Sequence, residues 1–226
     1  DRVHLDSTLN DPQPQDAAAL SGVTAGRHAK VENIAGDLTV DQAVKAAAGN
    51  VLLAANGGDV ILNAAVDAPA VGAKVGNVTV LARDSVEQNA NITAGGTIDV
   101  QAYEGSIIMA AGTVSKTTAG GNIRYFADQG RDGIDNDLDG EIDEADEVAA
   151  GLASQDVKLG LLDAGAAGKV SVVAGRDILD AHVDTVGHGA DGFVPQPGTP
   201  RTENIAASAA RLHAGRNIGQ GDEEGV

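Results

Sequence analysis

A short phrase recurs along this chain and limits what it can fold into. Gly is followed by a small or polar residue, then a branched apolar residue, a variable one and a second apolar one. The phrase reads Gly36-Asp37-Leu38-Thr39-Val40, Gly49-Asn50-Val51-Leu52-Leu53, Gly58-Asp59-Val60-Ile61-Leu62 and Gly76-Asn77-Val78-Thr79-Val80. Gly96-Thr97-Ile98-Asp99-Val100, Gly105-Ser106-Ile107-Ile108-Met109 and Gly121-Asn122-Ile123-Arg124-Tyr125 follow. Gly, or the residue after it, supplies a tight corner. The period-two alternation then points apolar side chains inward and Thr, Asp or Arg outward. Strands this short cannot stand alone. Stacked at about 4.8 Å per layer on copies of themselves, they gain a ladder of hydrogen bonds and a continuous apolar column.

The spacing predicts an all-β fold, a parallel, right-handed β-helix with coils of about 20 residues and one or two phrases in each. Composition agrees. Hydrophobic residues make up 42% of the 226, yet there are only two Tyr, two Phe and no Trp. The interior must be built from Val, Ile, Leu and Ala, which suits a narrow lumen. An antiparallel sandwich also expects short strands at such intervals, but it would normally bury large rings. Thirty Gly interrupt nearly every candidate helix. Short helical turns are expected only at Asp41–Ala48 and Asn204–Leu212.

One domain, 1–226, is expected. Its parts are an irregular N-terminal segment 1–30, coils 31–126, an acidic insertion 127–151, further coils 152–218 interrupted by a Gly- and Pro-rich loop 187–203, and a tail 219–226. The phrase resumes at Gly168-Lys169-Val170-Ser171-Val172 and Gly175-Arg176-Asp177-Ile178-Leu179. Ala214-Gly215-Arg216-Asn217-Ile218 closes the series and echoes Ala174-Gly175-Arg176-Asp177-Ile178.

The formal net charge is −18. Such a surface repels nucleic acid and anionic lipid and attracts cations, so no nucleic-acid partner is expected. No apolar run is long enough to span a membrane. Cysteine is absent, so no disulfide braces the chain. The start at Asp1, with no basic or apolar leader, reads as an excised or processed piece.

Between Asp132 and Glu147 lies the strongest candidate site. Calcium takes six to eight oxygens, which a loop supplies from alternate positions. Asp135, Asp137 and Asp139 stand at loop positions one, three and five, and Gly140 where the chain must turn sharply. Glu141 would offer its backbone carbonyl, and Asp143 stands at position nine, where ligation often runs through water. Asp146 stands at position twelve in place of a bidentate Glu, and Glu144 or Glu147 could substitute for it. Ile142 is the apolar residue that would tie the loop down. The carboxylates crowded between Asp135 and Asp143 would repel one another without a cation. Zinc is poorly served, since no His or Cys lies nearby. The bland alternative is a solvated acidic loop holding no ion.

Residues 132–144 resemble the pattern D-G-x-D-N-D-x-D-G-x-x-D-E, a metal-binding motif of bacterial extracellular proteins that is similar to the calcium loops of thrombospondin type 3 repeats. Leu138 departs from it where many bacterial copies carry Cys; no oxygen ligand is lost. Phrases such as Ala174-Gly175-Arg176-Asp177-Ile178 and Ala94-Gly95-Gly96-Thr97-Ile98 resemble the β-helical shafts of filamentous haemagglutinin-like and other large bacterial surface proteins. The resemblance implies an extracellular, cell-surface, repetitive and non-catalytic shaft.

Other residues carry weaker signals. β-Helices also carry polysaccharide lyases and hydrolases. Outward Asp37, Asp59 and Asp99, with Arg124 and Lys158, could form a catalytic groove if they lined up. Solvated strand residues are the plainer reading, and no rings are available to stack on sugars. Asp180, His182, Asp184 and His188 form a mixed cluster for a transition metal, against a default of a solvated strand edge. Asn50, Asn77 and Asn122 each follow a Gly and could stack as an amide ladder. Tyr103, Tyr125 and Phe126 read as packing residues, with Tyr125-Phe126 clamping the base of the acidic loop. The sequence therefore points to a structural or adhesive segment of a secreted bacterial surface or filament-forming protein, stiffened by calcium. Its expected partners are calcium, other copies end to end in a fibre, and cell-surface glycans or proteins. The alternative is a carbohydrate-active enzyme on the same scaffold.

Overall fold

The computed structural model describes residues 22–128, 155–181 and 203–219. Within them the chain winds into a parallel β-helix with three faces. The first coil holds β1 (Val23–Ala25), β2 (Ala29–Asn33) and β3 (Leu38–Val40). The second holds β4 (Val44–Ala46), β5 (Val51–Ala55) and β6 (Val60–Leu62), and the third β7 (Val66–Ala68), β8 (Val78–Ala82) and β9 (Val86–Gln88). The fourth holds β10 (Ile92–Ala94), β11 (Ile98–Ala102) and β12 (Ile107–Met109). In the fifth, β13 (Val114–Thr117) and β14 (Ile123–Ala127) are followed by β15 (Val157–Leu159). The sixth joins two faces in one long strand, β16 (Leu161–Ala174), before β17 (Ile178–Asp180); β18 (Ile205–Ala214) lies beyond it.

Each strand pairs in parallel with its equivalents one coil before and after. β1-β4-β7-β10-β13-β16 forms the first face and β2-β5-β8-β11-β14-β16 the second; β16 fuses the two, and with β18 paired to it they make a 12-stranded sheet. The third face is a 6-stranded sheet, β3-β6-β9-β12-β15-β17. Equivalent corner residues stand 20 to 27 positions apart where no insertion intervenes, which bears out the coil length read from the sequence.

Alternation decides what enters the lumen. In β8 and β11 the burial alternates along the strand, so Val78, Val80, Ile98 and Val100 point inward and are wholly buried. Val60, Val86, Ile107 and Val157 make the matching column on the third face. Burying one such side chain is worth about 1.5–3 kcal/mol, and the columns repeat it at every layer. Close corners demand Gly: a Cβ on Gly121 would sit 2.2 Å from the Gly96 carbonyl. A polar cluster stands within the lumen among the apolar columns. Gln88 (β9), Ser115 (β13) and Tyr125 (β14), one from each face, are fully buried and bonded together.

Three expectations change. Asp41–Ala48 is not helical, because Val44–Ala46 is strand β4. Asn204–Leu212 likewise lies largely in β18, which pairs with β16 along both faces. Residues 22–30, read as part of an irregular start, already hold β1 and the beginning of β2. In each case a neighbouring strand edge supplies backbone hydrogen bonds that an isolated helical turn would have to find within itself.

Candidate functional site

The corner before the third face carries a side-chain ladder that runs from the first coil to the last described residues. Asp37 Oδ1 accepts the backbone N–H of Asp59 (2.9 Å), and Asp59 Oδ1 that of Ser85 (2.7 Å). Ser85 Oγ accepts from Ser106 N–H (3.2 Å), and Ser106 Oγ from Asp156 N–H (3.0 Å). Asp156 Oδ1 accepts from Asp177 N–H (3.1 Å), and Asp177 Oδ1 from Asn217 N–H (3.0 Å). Each rung satisfies a corner amide that turns away from the sheet ladders. The residue just before each third-face strand is therefore a short acceptor, Asp or Ser.

A second, shorter ladder runs along the corner between the first and second faces. His28 Nδ1 accepts from Asn50 N–H (3.0 Å), Asn50 Oδ1 from Asn77 N–H (3.0 Å) and Asn77 Oδ1 from Thr97 N–H (2.7 Å). Thr97 ends the run, and Asn122 Oδ1 begins again by accepting from Lys169 N–H (3.0 Å). The stacked asparagines expected from the sequence are thus present for Asn50 and Asn77, while Asn122 belongs to a separate rung.

The third-face corner is also where the acidic segment departs. Comparable corners are short, 34–37, 56–59 and 103–106; the fifth extends from 128 to 156. The strands on either side of it stay in register, Ile107 with Val157 and Tyr125 with Val172. The point of return is heavily braced. Arg176 grips Asp156 through two nitrogens, with Nε–Oδ1 at 2.6 Å. Arg216 grips Asp177 in the same manner, with Nε–Oδ1 at 3.0 Å. Gln155 Nε2 donates to the Tyr103 carbonyl at 2.7 Å. The Arg216 hydrogen bond, aided by the Asn217 amide and by Arg176, holds the Asp177 carboxyl below its usual range, against the opposing effect of burial. The Asp156 hydrogen bond raises the Arg176 guanidinium above its ordinary value, with burial pulling the other way.

The expected calcium ligands Asp135, Asp137, Asp139, Glu141, Asp143 and Asp146 lie outside the described residues, as do His182, Asp184 and His188. Asp180 is described: at the end of β17 its Oδ1 accepts from Asn204 Nδ2 at 2.9 Å. Among the described residues no group of three or more His, Cys, Asp or Glu stands together to hold a metal ion. The residues considered for a catalytic groove are not brought together. Asp37 and Asp59 cap corner amides, Asp99 and Arg124 pair with each other on the second face (2.8 Å), and Lys158 lies on the third face. Tyr125 points into the lumen instead of clamping the outside, and Phe126 lies under the Arg124 guanidinium, 5.3 Å from ring centroid to Cζ.

The brace of Asp156, Arg176, Asp177 and Arg216 was missed in the sequence. Its signal was the repeated Gly-Arg-Asp/Asn-Ile of Gly175–Ile178 and Gly215–Ile218, in which Arg and the next residue recur one coil apart. No protein-family model, curated protein or solved structure matches the chain.

Proposed function

We propose that this chain is a structural or adhesive segment of a secreted bacterial surface or filament-forming protein, stabilised by calcium held in the acidic insertion. The observation that carries the reading is the unbroken ladder from Asp37 to Asn217 along the corner where that insertion begins and ends. Such a corner spends its carboxylates on capping amides and gripping arginines. It is built to keep coils stacked, and it gives a long insertion two fixed stems. Calcium at Asp135, Asp137, Asp139, Glu141, Asp143 and Asp146 would neutralise the insertion's charge and tie those stems together.

The test is thermal melting of the whole chain in chelator and in excess calcium, with calorimetric titration of the metal. Calcium at a hundred times its dissociation constant should stabilise the fold by about 2.7 kcal/mol, read as a rise in Tm. An unchanged Tm together with no heat of binding would remove calcium from the proposal. Asp137→Asn combined with Asp139→Asn should abolish the rise while leaving the chelated protein's Tm in place.

A further inference from the structure

The outward side of the third face is one residue wide. Its strands are three residues long and turn only their central side chain outward, so the face presents a single column: Thr39, Ile61, Glu87, Ile108, Lys158, Leu179. Consecutive members are register partners, about 4.8 Å apart. From Ile61 to Leu179 the column spans about 19 Å. Ile108, at its middle, is 42% exposed, while its neighbour Ile107 fills the lumen. Among the described residues neither Glu87 nor Lys158 makes an ion pair, although charged residues on the other faces do, as in Lys116–Asp163 and Arg124–Asp99.

The order of the column is palindromic in chemistry. Counting outward from Ile108, the first neighbours are Glu87 on one side and Lys158 on the other, and the second are Ile61 and Leu179. A two-fold axis level with β12, midway between two antiparallel shafts, would bring Ile108 against Ile108. It would also set each Glu87 opposite the partner's Lys158 and each Ile61 opposite the partner's Leu179. We infer that the third face is a self-complementary surface on which a second copy of this chain docks side by side, with the two coil axes running in opposite directions. The charges select this arrangement: the parallel alternative would put Glu87 against Glu87 and Lys158 against Lys158.

The surface is narrow, well short of the roughly 800 Å² per partner of a standard stable interface. The net charge of −18 also opposes approach at low salt. The dimer is accordingly a weak one, formed at high protein concentration and favoured by moderate salt. Salt screens the distant charges more than the close Glu87–Lys158 contacts.

The experiment is sedimentation of the whole chain over a wide concentration range, with charge-swapped variants. Wild type should dimerise reversibly. Glu87→Lys alone and Lys158→Glu alone should each weaken association by about tenfold or more, because each sets like charges opposite one another twice. An equimolar mixture of the two variants should recover wild-type association. In the mixed dimer both lysines of the E87K chain face both glutamates of the K158E chain, so every contact again joins opposite charges. Ile108→Cys, in a chain that has no other cysteine, should be joined to its partner copy by a thiol-reactive crosslinker about 8–10 Å long, since facing sheets stand too far apart for a direct disulfide, while Lys45→Cys on the first face should not. The inference is overturned if wild type stays monomeric, if the swaps leave its dimer untouched, or if the mixture fails to recover it. An Ile108→Cys chain that the crosslinker leaves unlinked at concentrations where wild type dimerises overturns it equally.

Discussion

The Tyr125 hydroxyl donates to Gln88 Oε1 at 2.5 Å across the lumen, joining the second face to the third. Ser115 Oγ, from the first face, lies 2.7 Å from the same hydroxyl and accepts from Gln88 Nε2 at 3.0 Å. The ring of bonds satisfies side chains that would otherwise be costly in so dry a space. It also fixes which residue of each face stands at that level, because a slip of one residue in any strand would turn its polar member outward.

Tyr125→Phe should cost about 1–3 kcal/mol by leaving Gln88 under-bonded. It should also change the alkaline limb of stability. Burial pushes the Tyr125 phenol well above its ordinary value, with the Ser115 hydrogen bond pulling weakly the other way. The folded state therefore favours the neutral phenol. That contribution is whole below the unfolded phenol's pKa of about 10 and is lost as pH rises from there toward the folded value. Urea denaturation from about pH 8 to about pH 11 should show wild type losing stability on this account and Tyr125→Phe losing less.

Asp177 governs the opposite limb. Its carboxyl is held low chiefly by Arg216, so its contribution is complete above the unfolded carboxylate's pKa of about 4 and is lost as pH falls through the lower folded value. Asp177→Asn keeps an oxygen for the Asn217 amide but gives up the charge. Its acid denaturation should be shallower than that of wild type in the same titration, with a lower Tm at neutral pH.

Gly121→Ala tests the closeness of the corners. The added methyl would meet Gly96 backbone atoms at 2.2 Å, and nothing flexible can yield there. A loss of about 1–3 kcal/mol or more is expected. Gly26, where an added Cβ meets nothing within 4 Å, provides the control. There Gly26→Ala should be neutral or stabilise by about 0.4–1 kcal/mol through the unfolded chain.

Thr97→Asn should repair a gap. Asn77 caps Thr97, but Thr97 does not cap Asn122, so one rung of the second ladder is missing. An Asn at this exposed position places an amide oxygen where Asn50 and Asn77 hold theirs. A gain of about 0.5–1 kcal/mol in chemical denaturation is expected.

Much of the fold was legible because a Gly precedes most strands of the second and third faces. The phrases mark β3, β5, β6, β8, β11, β12 and β14 directly. First-face strands escaped because another punctuation introduces them. Asp41, Asn63 and Asn89 each stand three residues before Val44, Val66 and Ile92, and they bond to one another across coils: Asn63 Nδ2 to Asp41 Oδ1 at 2.8 Å and Asn89 Nδ2 to Asn63 Oδ1 at 3.0 Å. Without a Gly, Asp41–Ala48 looked helical. Ala-rich Ile205–Ala214 has good helix propensity as well, but a register with Leu162 to Ala174 outweighs it.

The site was legible unevenly. Loop spacing alone singled out the residues between Asp132 and Glu147, since carboxylates at alternate positions around a Gly have a chemical meaning by themselves. Asp37 and Asp59 were seen as outward strand residues, when they are corner acceptors. Their role depends on the backbone N–H of the next coil, 22 and 26 residues on, and no local pattern reveals where that amide points.

The missing rung at Thr97 has a mechanical side. Coils in a stack bear an axial pull in series, so the whole can carry only what its weakest interlayer step carries. Between the fourth and fifth coils the corner of Thr97 and Asn122 adds no side-chain rung to that step, and the load passes to the sheets, to the rungs of Ser106 with Asp156 and Asn91 with Val114, and to the outward clamp of Arg124 on Asp99. Pulled from its ends, the shaft should part there first. A single-molecule force record that shows the earliest rupture at any other layer would disprove this.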